Sequence, residues 1–197
     1  MHKILPILDE KILIDKLIKG DKTAFEELIE IYKDRVYNTS LSLLRNPSDA
    51  EDISQEVFAE IFLSVKFFRK ESKLSTWIYR ITITKSLDHI RRMRRRKRLV
   101  YYTTLFGDKG ELLYDAPDFV HPGIKAENKE LANALFRAIS KLPENQRIAF
   151  TLNKTENLNY GEIAAVMNIS VSAVESLLFR AKKNLRKILE KYYRSIK

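Results

Sequence analysis

Residues Arg45–Arg98 read RNPSDAEDISQEVFAEIFLSVKFFRKESKLSTWIYRITITKSLDHIRRMRRRKR, and they contain three chemically different segments in succession. The first segment has no basic residue between Arg45 and Lys66, whereas the last is basic at every position from Arg91 to Arg98 except Met93. A helix with clustered carboxylates suits a basic protein partner, and a cationic helix end suits phosphates. The separation of the two charges along one segment therefore predicts two different macromolecular partners.

The composition is that of a globular protein with a basic surface. The 197 residues carry a net charge of +10 with a pI near 9.6, which favours nucleic acid as a partner and an anionic membrane surface as the second choice. The absence of cysteine excludes disulfides and thiolate metal sites and agrees with a reducing compartment. The sequence contains neither a long apolar run nor a signal-peptide pattern, so we expect the protein to be cytoplasmic.

Apolar residues recur at helical spacing along most of the chain, which predicts an all-α fold. Asp21 is expected to cap a second helix, which ends at Asn46-Pro47 because proline disfavours a helical conformation in the preceding residue. A third helix is predicted to begin at Ser48, and a fourth at about Thr76. The apolar stripe predicted for the third helix comprises Ile53, Val57, Phe58, Ile61, Phe62 and Val65.

The composition changes near Leu99 and divides the chain. Residues 99–125 hold three of the five glycines and show weak periodicity, which is typical of a flexible linker. The linker would join two small helical domains, residues 1–98 and 126–197. In the second domain, a short helix, the turn Asn168-Ile169 and a long helix capped by Ser170 form the outline of a helix-turn-helix.

The last helix is predicted to present a polar face that includes one exposed aromatic side chain. Phe179 beside Arg180 suits a thymine methyl group next to a phosphate or a guanine edge, and Glu175 could accept from a cytosine amino group. An ordinary helical hairpin with a solvated face is the structural alternative. The side chains predicted to face away from the buried stripe are Ser172, Glu175, Ser176, Phe179, Arg180 and Lys183.

Aromatic and basic residues are interleaved in the short segment between the acidic helix and the fourth helix. Phe67, Phe68, Arg69, Lys70, Ser72 and Lys73 occur there, and Trp77 follows one turn later. Aromatic faces among cations suit single-stranded DNA, because every base can stack and every phosphate needs a counter-charge. A single tryptophan is equally typical of a hydrophobic core.

The sequence contains no pattern that requires catalysis, a metal or another cofactor. The three histidines are scattered, and the glycines of the linker lack the lysine that completes a phosphate-binding loop. Asp49, Asp52 and Glu56 together leave a carboxylate–metal hydrolase as a distant alternative. A stand-alone helix-turn-helix regulator of transcription is the nearer one.

The order of these motifs resembles the bacterial RNA polymerase sigma factors of the extracytoplasmic-function (ECF) group, group 4 of the sigma-70 family. Three segments of the N-terminal half are similar to the polymerase-binding helix, the promoter-melting segment and the helix that meets the −10 element: DAEDISQEVF (Asp49–Phe58), STWIYRI (Ser75–Ile81) and SLDHIRR (Ser86–Arg92). Three segments of the C-terminal half are similar to the domain that reads the −35 element: LPENQRIAF (Leu142–Phe150), NYGEIAAVMNIS (Asn159–Ser170) and AVESLLFRAKKNLRK (Ala173–Lys187).

The resemblance implies a sigma factor and not an enzyme, with core RNA polymerase, promoter DNA and an anti-sigma factor, often a membrane-bound one, as partners. It implies a polymerase-binding set of Asp49, Asp52, Gln55, Glu56 and Phe58. It implies a −10 set of Arg69, Lys70, Ser72, Lys73, Trp77, Lys85, Asp88, Arg91 and Arg92, and a −35 set made of the six outward side chains of the last helix. Glu175 stands where the family usually has lysine or arginine, and Leu177 and Thr84 also depart from the family pattern, so the promoter sequence is left open.

Overall fold

The computed structural model describes residues 7–105 and 129–196, and every regular element within these ranges is helical. The all-α prediction is confirmed. The elements are α1 (Ile7–Ile18), α2 (Lys22–Leu44), α3 (Pro47–Ser64), a 3-10 turn (Val65–Phe67), α4 (Leu74–Leu105), α5 (Lys129–Ser140), α6 (Glu144–Lys154), α7 (Tyr160–Met167) and α8 (Val171–Ile196).

Side-chain caps fix where α2 and α3 begin. The Asp21 carboxylate accepts hydrogen bonds from the backbone N–H groups of Thr23, at 2.9 Å, and Ala24, at 3.3 Å, so α2 begins where the sequence predicts. Asn46 caps α3 in the same way, and Pro47 occupies the first helical position, where its missing N–H needs no partner. The third helix therefore begins one residue before the predicted Ser48.

The N-terminal unit consists of α1–α4, with α2, α3 and α4 packed on one another. Its centre is formed by fully buried aliphatic side chains: Leu28, Val36, Ile53, Val57, Ile61, Leu74 and Ile78. The prediction that Phe62 belongs to this stripe is wrong, because its side chain is 55% exposed. One residue advances a helix by about 100°, so Phe62 is rotated away from the buried Ile61, and its ring lies edge-on to that of Phe25 with centroids 5.0 Å apart.

Helix α4 extends beyond its predicted limits at both ends. It begins at Leu74 and not at Thr76, because the Leu74 side chain is buried and its backbone N–H donates to Glu10 Oε1 of α1 at 2.7 Å. At the other end it continues through residues 99–105, which the sequence assigns to the linker. The remainder of the predicted linker, residues 106–125, lies outside the described residues.

The C-terminal unit consists of α5–α8 and contains the predicted helix-turn-helix. Asn159 and Glu162 form a reciprocal capping box at the start of α7, and Asn168 ends that helix in the left-handed conformation with φ 54°. Ser170 Oγ accepts from the N–H of Ala173 at 3.2 Å as the cap of α8. The axes of α7 and α8 are bent by 101°.

The two units are packed directly on each other. Leu43, Tyr79 and Leu87 of the N-terminal unit lie in one hydrophobic cluster with α6, α7 and α8 side chains, which include Leu152, Ile163 and Leu178. No single helix in the described ranges is long and apolar enough to cross a bilayer; α7 and Val171–Glu190 reach that combination only as a bent pair.

Candidate nucleic-acid and polymerase interfaces

The acidic residues of α3 are divided between two sides of the helix. Asp52 and Gln55 are exposed to solvent, together with Glu51, which the resemblance does not include. Phe58 is half-buried and packs against the N-terminal core, so only part of its ring is accessible. Within the predicted polymerase-binding set, Asp52 and Gln55 are the polar residues that face solvent and have no ion pair or hydrogen bond described within the chain.

The other acidic residues of α3 face α4: Glu56 and Glu60 form ion pairs with it, and Asp49 lies beside the His89 imidazole. Asp49 Oδ2 lies 3.4 Å from His89 Nε2, Glu56 Oε1 lies 3.7 Å from Arg92 Nη2, and Glu60 Oε2 lies 3.2 Å from Lys85 Nζ. We refer to these three pairs as the α3–α4 ladder. No local pattern in the sequence predicts these pairs, although the spacing of four and three residues on α4 places Lys85, His89 and Arg92 on one helical face.

The ladder bears directly on the metal-hydrolase alternative. That alternative needs Asp49, Asp52 and Glu56 to converge, whereas Asp49 and Glu56 are directed to bases of α4. In residues 7–105 and 129–196, no group of three or more histidine, aspartate and glutamate side chains is arranged to hold a metal ion.

Three apolar side chains are exposed immediately beyond the acidic residues of α3. Phe62, Leu63 and Phe67 are 55%, 65% and 72% exposed, and Lys66 Nζ lies 5.0 Å above the Phe67 ring. Contiguous exposed apolar side chains on a folded protein commonly mark an interaction site. No local pattern in the sequence predicts this patch, because Phe62 has the spacing expected of a core residue.

The aromatic residues of the segment between α3 and α4 have different environments. Phe68 is buried, and the half-buried Trp77 packs on it with ring centroids 5.1 Å apart and an interplanar angle of 38°. Trp77 therefore contributes to the core, and part of its ring remains at the surface. Phe67 is the exposed aromatic side chain of this segment.

The basic residues of the same segment are all at the surface. Lys70 adopts φ 60° and donates to Asp15 of α1; this hydrogen bond lowers the pKa of the Asp15 carboxyl group. Arg69 lies 3.9 Å from Glu71, and Lys73 Nζ lies 3.4 Å from Glu162 Oε1 of α7. The Ser72 hydroxyl donates to the Lys73 carbonyl at 3.4 Å.

The remaining predicted −10 residues lie on the solvent side of α4. The opposite side is buried and lined by hydroxyl groups, since Thr82 Oγ1 donates to the Ile78 carbonyl at 2.9 Å and Ser86 Oγ donates to the Thr82 carbonyl at 2.8 Å. Arg91 makes two ion pairs, one with Asp88 at 3.3 Å and one with Glu144 of α6 at 3.2 Å. Lys85 and Arg92 belong to the α3–α4 ladder.

Helix α8 presents all six of its predicted side chains to solvent: Ser172, Glu175, Ser176, Phe179, Arg180 and Lys183. Phe179 is 69% exposed, while Val174, Leu178 and Ala181 on the opposite face are buried. Ser176 and Arg180 also line a shallow groove with Asn145 of α6 and Ile169 of the turn. This is the geometry in which the second helix of a helix-turn-helix enters a major groove.

A titratable pair lies between the two units. Tyr79 Oη donates to Glu156 Oε2 at 2.9 Å, and Glu156 Oε1 is shielded from solvent without a hydrogen-bond partner in the described part of the chain. Burial raises the pKa of Glu156, although the hydrogen bond from Tyr79, the nearby Thr39 hydroxyl group and the charge of Arg35 act in the opposite direction. Burial and the nearby Glu156 charge also raise the pKa of Tyr79.

Comparison with known families matches both units. Residues 28–96 match the family Sigma-70 region 2, and residues 132–185 match Sigma-70, region 4. The chain is 34% identical to the ECF RNA polymerase sigma factor SigW of Bacillus subtilis (strain 168) over 180 residues, covering 89% of this chain and 94% of SigW. It is 32% identical to the ECF RNA polymerase sigma-E factor of Escherichia coli (strain K12) over 176 residues, covering 89% and 91% of the two chains.

Two solved structures share the fold. CnrH in complex with the cytosolic domain of CnrY superposes with a TM-score of 0.67 at 21% identity, covering 92% of this chain and 97% of CnrH. The sigma factor RpoE in complex with the anti-sigma factor NepR from Bartonella quintana gives a TM-score of 0.64 at 20% identity, covering 84% and 96%. With both sigma-70 regions present in order, and about one third of the residues identical to full-length relatives, the chain belongs to the ECF RNA polymerase sigma factors.

Proposed function

We propose that this sigma factor uses the outer side of α3 to bind core RNA polymerase, the Arg69–Lys73 segment and α4 to hold melted −10 DNA, and α8 to read the −35 duplex. As a sigma factor it directs transcription initiation, and its family consists of initiation factors, not enzymes. The observation that carries the assignment is that three different surfaces lie on three different helices. Acidic side chains are exposed on α3, basic side chains are exposed on α4, and a polar face is exposed on α8.

The polymerase-binding site is proposed to comprise Asp49, Asp52, Gln55, Glu56 and Phe58, with Asp52 and Gln55 at its centre. These two are accessible without breaking an ion pair, whereas Asp49 and Glu56 exchange their α4 partners for those of the polymerase. The exposed side chains of Phe62 and Leu63 extend the site with apolar area. A basic, partly apolar surface on the polymerase is the complement that this combination requires.

The −10 site is proposed to comprise Arg69, Lys70, Ser72, Lys73, Trp77, Lys85, Asp88, Arg91 and Arg92. Bases that leave the duplex lose stacking energy of a few kcal/mol, and an aromatic side chain restores about 1–3 kcal/mol per base. Because Trp77 already packs on Phe68, its accessible edge and the exposed Phe67 ring are the stacking surfaces that this site offers. The surrounding lysine and arginine side chains neutralise the phosphates of the single strand.

The −35 site is proposed to comprise Ser172, Glu175, Ser176, Phe179, Arg180 and Lys183. Arg180 supplies a bidentate donor for a guanine edge, and Phe179 supplies an apolar contact for a thymine methyl group. Glu175 repels phosphate and accepts from a cytosine amino group, so it restricts the sequences that α8 tolerates. Residues 1–98 and 126–197 are the proposed domains, joined by residues 99–125.

Transcription from a defined template tests the function. Core RNA polymerase and this protein are expected to give run-off products from promoters of the source genome, and core polymerase alone is not. Asp52→Lys is expected to abolish retention of core polymerase in a pull-down assay, while Glu26→Lys, the same charge reversal at an exposed position of α2, is expected to leave it unchanged. Promoter-independent transcription, or equal retention of polymerase by both variants, would contradict the assignment.

An anti-sigma factor is the proposed regulator. The solved relative CnrH is in complex with the cytosolic domain of CnrY, and RpoE is in complex with the anti-sigma factor NepR. A similar partner of this chain would cover the exposed apolar and charged surfaces of both units in the cytoplasm, and a membrane-anchored one would hold it at the inner membrane face. Co-purification of a sequence-identified partner that suppresses the run-off product tests this proposal.

A further inference from the structure

Four arginine side chains that belong to none of the three proposed sites lie near one another where the end of α2 meets α5 and α6. They are Arg45, which ends α2 with φ 62°, Arg94 of α4, Arg137 of α5 and Arg147 of α6. Arg45 Nη1 donates to Ser140 Oγ at the end of α5 at 2.9 Å, which fixes the guanidinium group beside the C-terminal unit. We refer to these four residues as the arginine cluster.

Two members of the arginine cluster have buried nitrogen atoms without a partner. Arg147 is 5% exposed, and its Nε is shielded from solvent with no hydrogen-bond partner in residues 7–105 and 129–196. The Nε of Arg45 is shielded in the same way and also has no partner within these ranges. Buried side-chain donors in folded proteins nearly always have an acceptor. Two such donors in one cluster therefore indicate an acceptor that is not part of the chain.

The positive charges of the arginine cluster repel one another. Burial and the charges of Arg137 and Arg147 lower the pKa of Arg45. Burial and the charge of Arg94 likewise lower the pKa of Arg147, while the charge of Glu144 acts in the opposite direction. The Glu144 carboxylate is shared, because it also lies 3.2 Å from an arginine of α4 that is outside the cluster. The cluster thus keeps an excess of positive charge in a partly buried place.

A phosphate group has the chemistry that these donors require. The planar guanidinium group presents paired N–H donors that match two oxygen atoms of one phosphate, and phosphate carries more negative charge than a carboxylate. The start of α6 favours an anion as well. Its N-cap position is occupied by Pro143, which provides no side-chain acceptor for the N–H groups of the first turn, and the helix dipole is positive there.

We propose that the arginine cluster binds a small phosphate-containing anion, with the guanidinium groups of Arg45 and Arg147 as its main donors and Arg94 and Arg137 beside them. Inorganic phosphate, pyrophosphate and the phosphates of a nucleotide share this chemistry. Since Arg45 belongs to the N-terminal unit and Arg147 to the C-terminal unit, the bound anion contacts both. None of the four arginines is in the proposed polymerase, −10 or −35 sets, so the inference does not rest on the proposed function.

Calorimetric titration and thermal unfolding of the full chain test the site. The probes are potassium phosphate, potassium pyrophosphate and GTP, each compared with potassium chloride at the same pH and ionic strength. At least one probe is expected to bind and, at saturation, to raise the unfolding midpoint by several degrees over the chloride control. The probe that binds most tightly identifies whether the ligand is free phosphate, a diphosphate or a nucleotide.

Substitutions of single arginines test which side chains hold the anion. Arg147→Gln and Arg45→Gln are each expected to weaken binding about 10- to 100-fold, since each removes a charged donor. Arg186→Gln removes the same charge at an exposed position of α8 and is expected to retain the parent affinity. Far-ultraviolet circular dichroism establishes that all variants keep their helix content.

The unfolding midpoint in chloride separates a ligand site from a structural role of Arg147. Without phosphate, Arg147→Gln is expected to unfold at or above the midpoint of the parent chain, because a buried charge without an acceptor is removed. The variant is expected to fall below the parent chain only in phosphate. A midpoint that is lowered equally in chloride and in phosphate would overturn the proposal and assign a structural role to Arg147.

Three further results would overturn the proposal. The first is that no probe binds at millimolar concentration, which would leave water as the partner of the buried donors. The second is equal affinity in the parent chain, the two cluster variants and Arg186→Gln, which would show general charge screening. The third is that Arg147→Gln weakens binding of a short DNA duplex while no small probe binds, which would assign the cluster to the DNA backbone. Failure of run-off transcription contradicts the proposed function and leaves this site unaffected.

Discussion

The hydroxyl group of Tyr79 and the carboxyl group of Glu156 form a 2.9 Å hydrogen bond between residues 77 positions apart, and this bond joins the two helical units of the chain. Tyr79 is buried on α4, and Glu156 lies in the connection between α6 and α7. Water has little access to this carboxyl group, and the buried Thr39 hydroxyl group of α2 is the other hydroxyl that acts on its pKa.

Removing the tyrosine hydroxyl group is expected to destabilise the protein. Tyr79→Phe removes the hydroxyl group that donates to the buried carboxyl group at 2.9 Å, at a cost of about 1–3 kcal/mol. Thermal unfolding is expected to show a midpoint several degrees lower than that of the parent chain. Tyr160→Phe removes a hydroxyl group from a more exposed position of α7 and serves as the control, with no change expected. An equal midpoint for all three proteins would mean that the Tyr79–Glu156 hydrogen bond contributes nothing.

The packing of the two units on each other is expected to be favoured by acid. Burial raises the pKa of Glu156 above its ordinary value of 4.5, which the carboxyl group regains when the units separate. The stabilisation of the packed units by protonated Glu156 is therefore complete below pH 4.5 and is lost as the pH rises through the raised pKa of Glu156. Energy transfer between dyes attached at Glu27→Cys in α2 and Lys182→Cys in α8, two exposed positions in a protein without cysteine, is expected to decline over that interval.

The substitution Glu156→Gln tests the origin of this pH dependence. Glutamine keeps an oxygen that accepts from Tyr79 and carries no charge that burial disfavours. The variant is expected to keep its two units packed above the raised pKa and to lose the decline in energy transfer. The surrounding charged and titratable groups, Arg35 and Tyr79, remain in place in this variant. Persistence of the same pH profile would assign the titration to another group.

Phe179 is expected to contribute to recognition of the −35 duplex and not to the stability of the fold. Its side chain is 69% exposed, so Phe179→Ala is expected to change the free energy of unfolding by less than about 0.5 kcal/mol. The same substitution is expected to cost about 1–3 kcal/mol of discrimination at one base pair of the −35 duplex. Run-off transcription from promoters with single substitutions in the −35 element measures the second effect.

Leu178→Ala is the matched comparison for Phe179→Ala. Leu178 is the neighbouring residue and is 1% exposed, so its truncation is expected to cost about 2–5 kcal/mol of stability. Urea unfolding of the two variants separates them. Similar stability losses for both would contradict the orientation of α8.

The α3–α4 ladder is expected to contribute modestly and in a salt-dependent manner. A double-mutant cycle on Glu60 and Lys85, whose charged atoms are 3.2 Å apart at the surface, is expected to give a coupling of about 0.2–1 kcal/mol in dilute buffer. The coupling is expected to fall in 1 M salt, where the Debye length is about 3 Å. A cycle on Glu51 and Lys85 is the control and is expected to give none, because Glu51 lies on the exposed side of α3. Equal coupling in both cycles would show a general charge effect.

Local chemistry explains which parts of the fold the sequence predicts. The helix caps act on backbone groups within three residues of themselves, as Asp21, the Asn46-Pro47 pair and Ser170 do. Each helix start is therefore determined by residues close to it in the sequence. The six outward side chains of α8 follow from a helical period sustained over a long segment. Phe62 could not be assigned in this way, because its spacing fits the stripe and only the packing of α1–α3 leaves it outside.

Contacts between distant segments account for what the sequence does not predict. Arg80 and Glu162 are separated from their partners by more than 80 residues, and no local pattern marks either as an interface residue. Glu162 also has a sufficient local explanation as part of the capping box of α7. Asp49 and Glu56 are named from the sequence as partners of the polymerase, while their pairing with α4 depends on how two helices of the finished fold are rotated.

The 32 residues of α4 form a single helix about 48 Å long, and this length fixes where the covalent connection to the C-terminal unit departs. One residue inserted or deleted within α4 would swing everything beyond it by about 100° around the axis. A change in the number of residues after Leu105 alters reach without altering that direction. If α4 and α8 contact the two promoter elements as proposed, a change of spacer length between those elements is therefore expected not to be accommodated within α4, whose length and direction are constant up to Leu105.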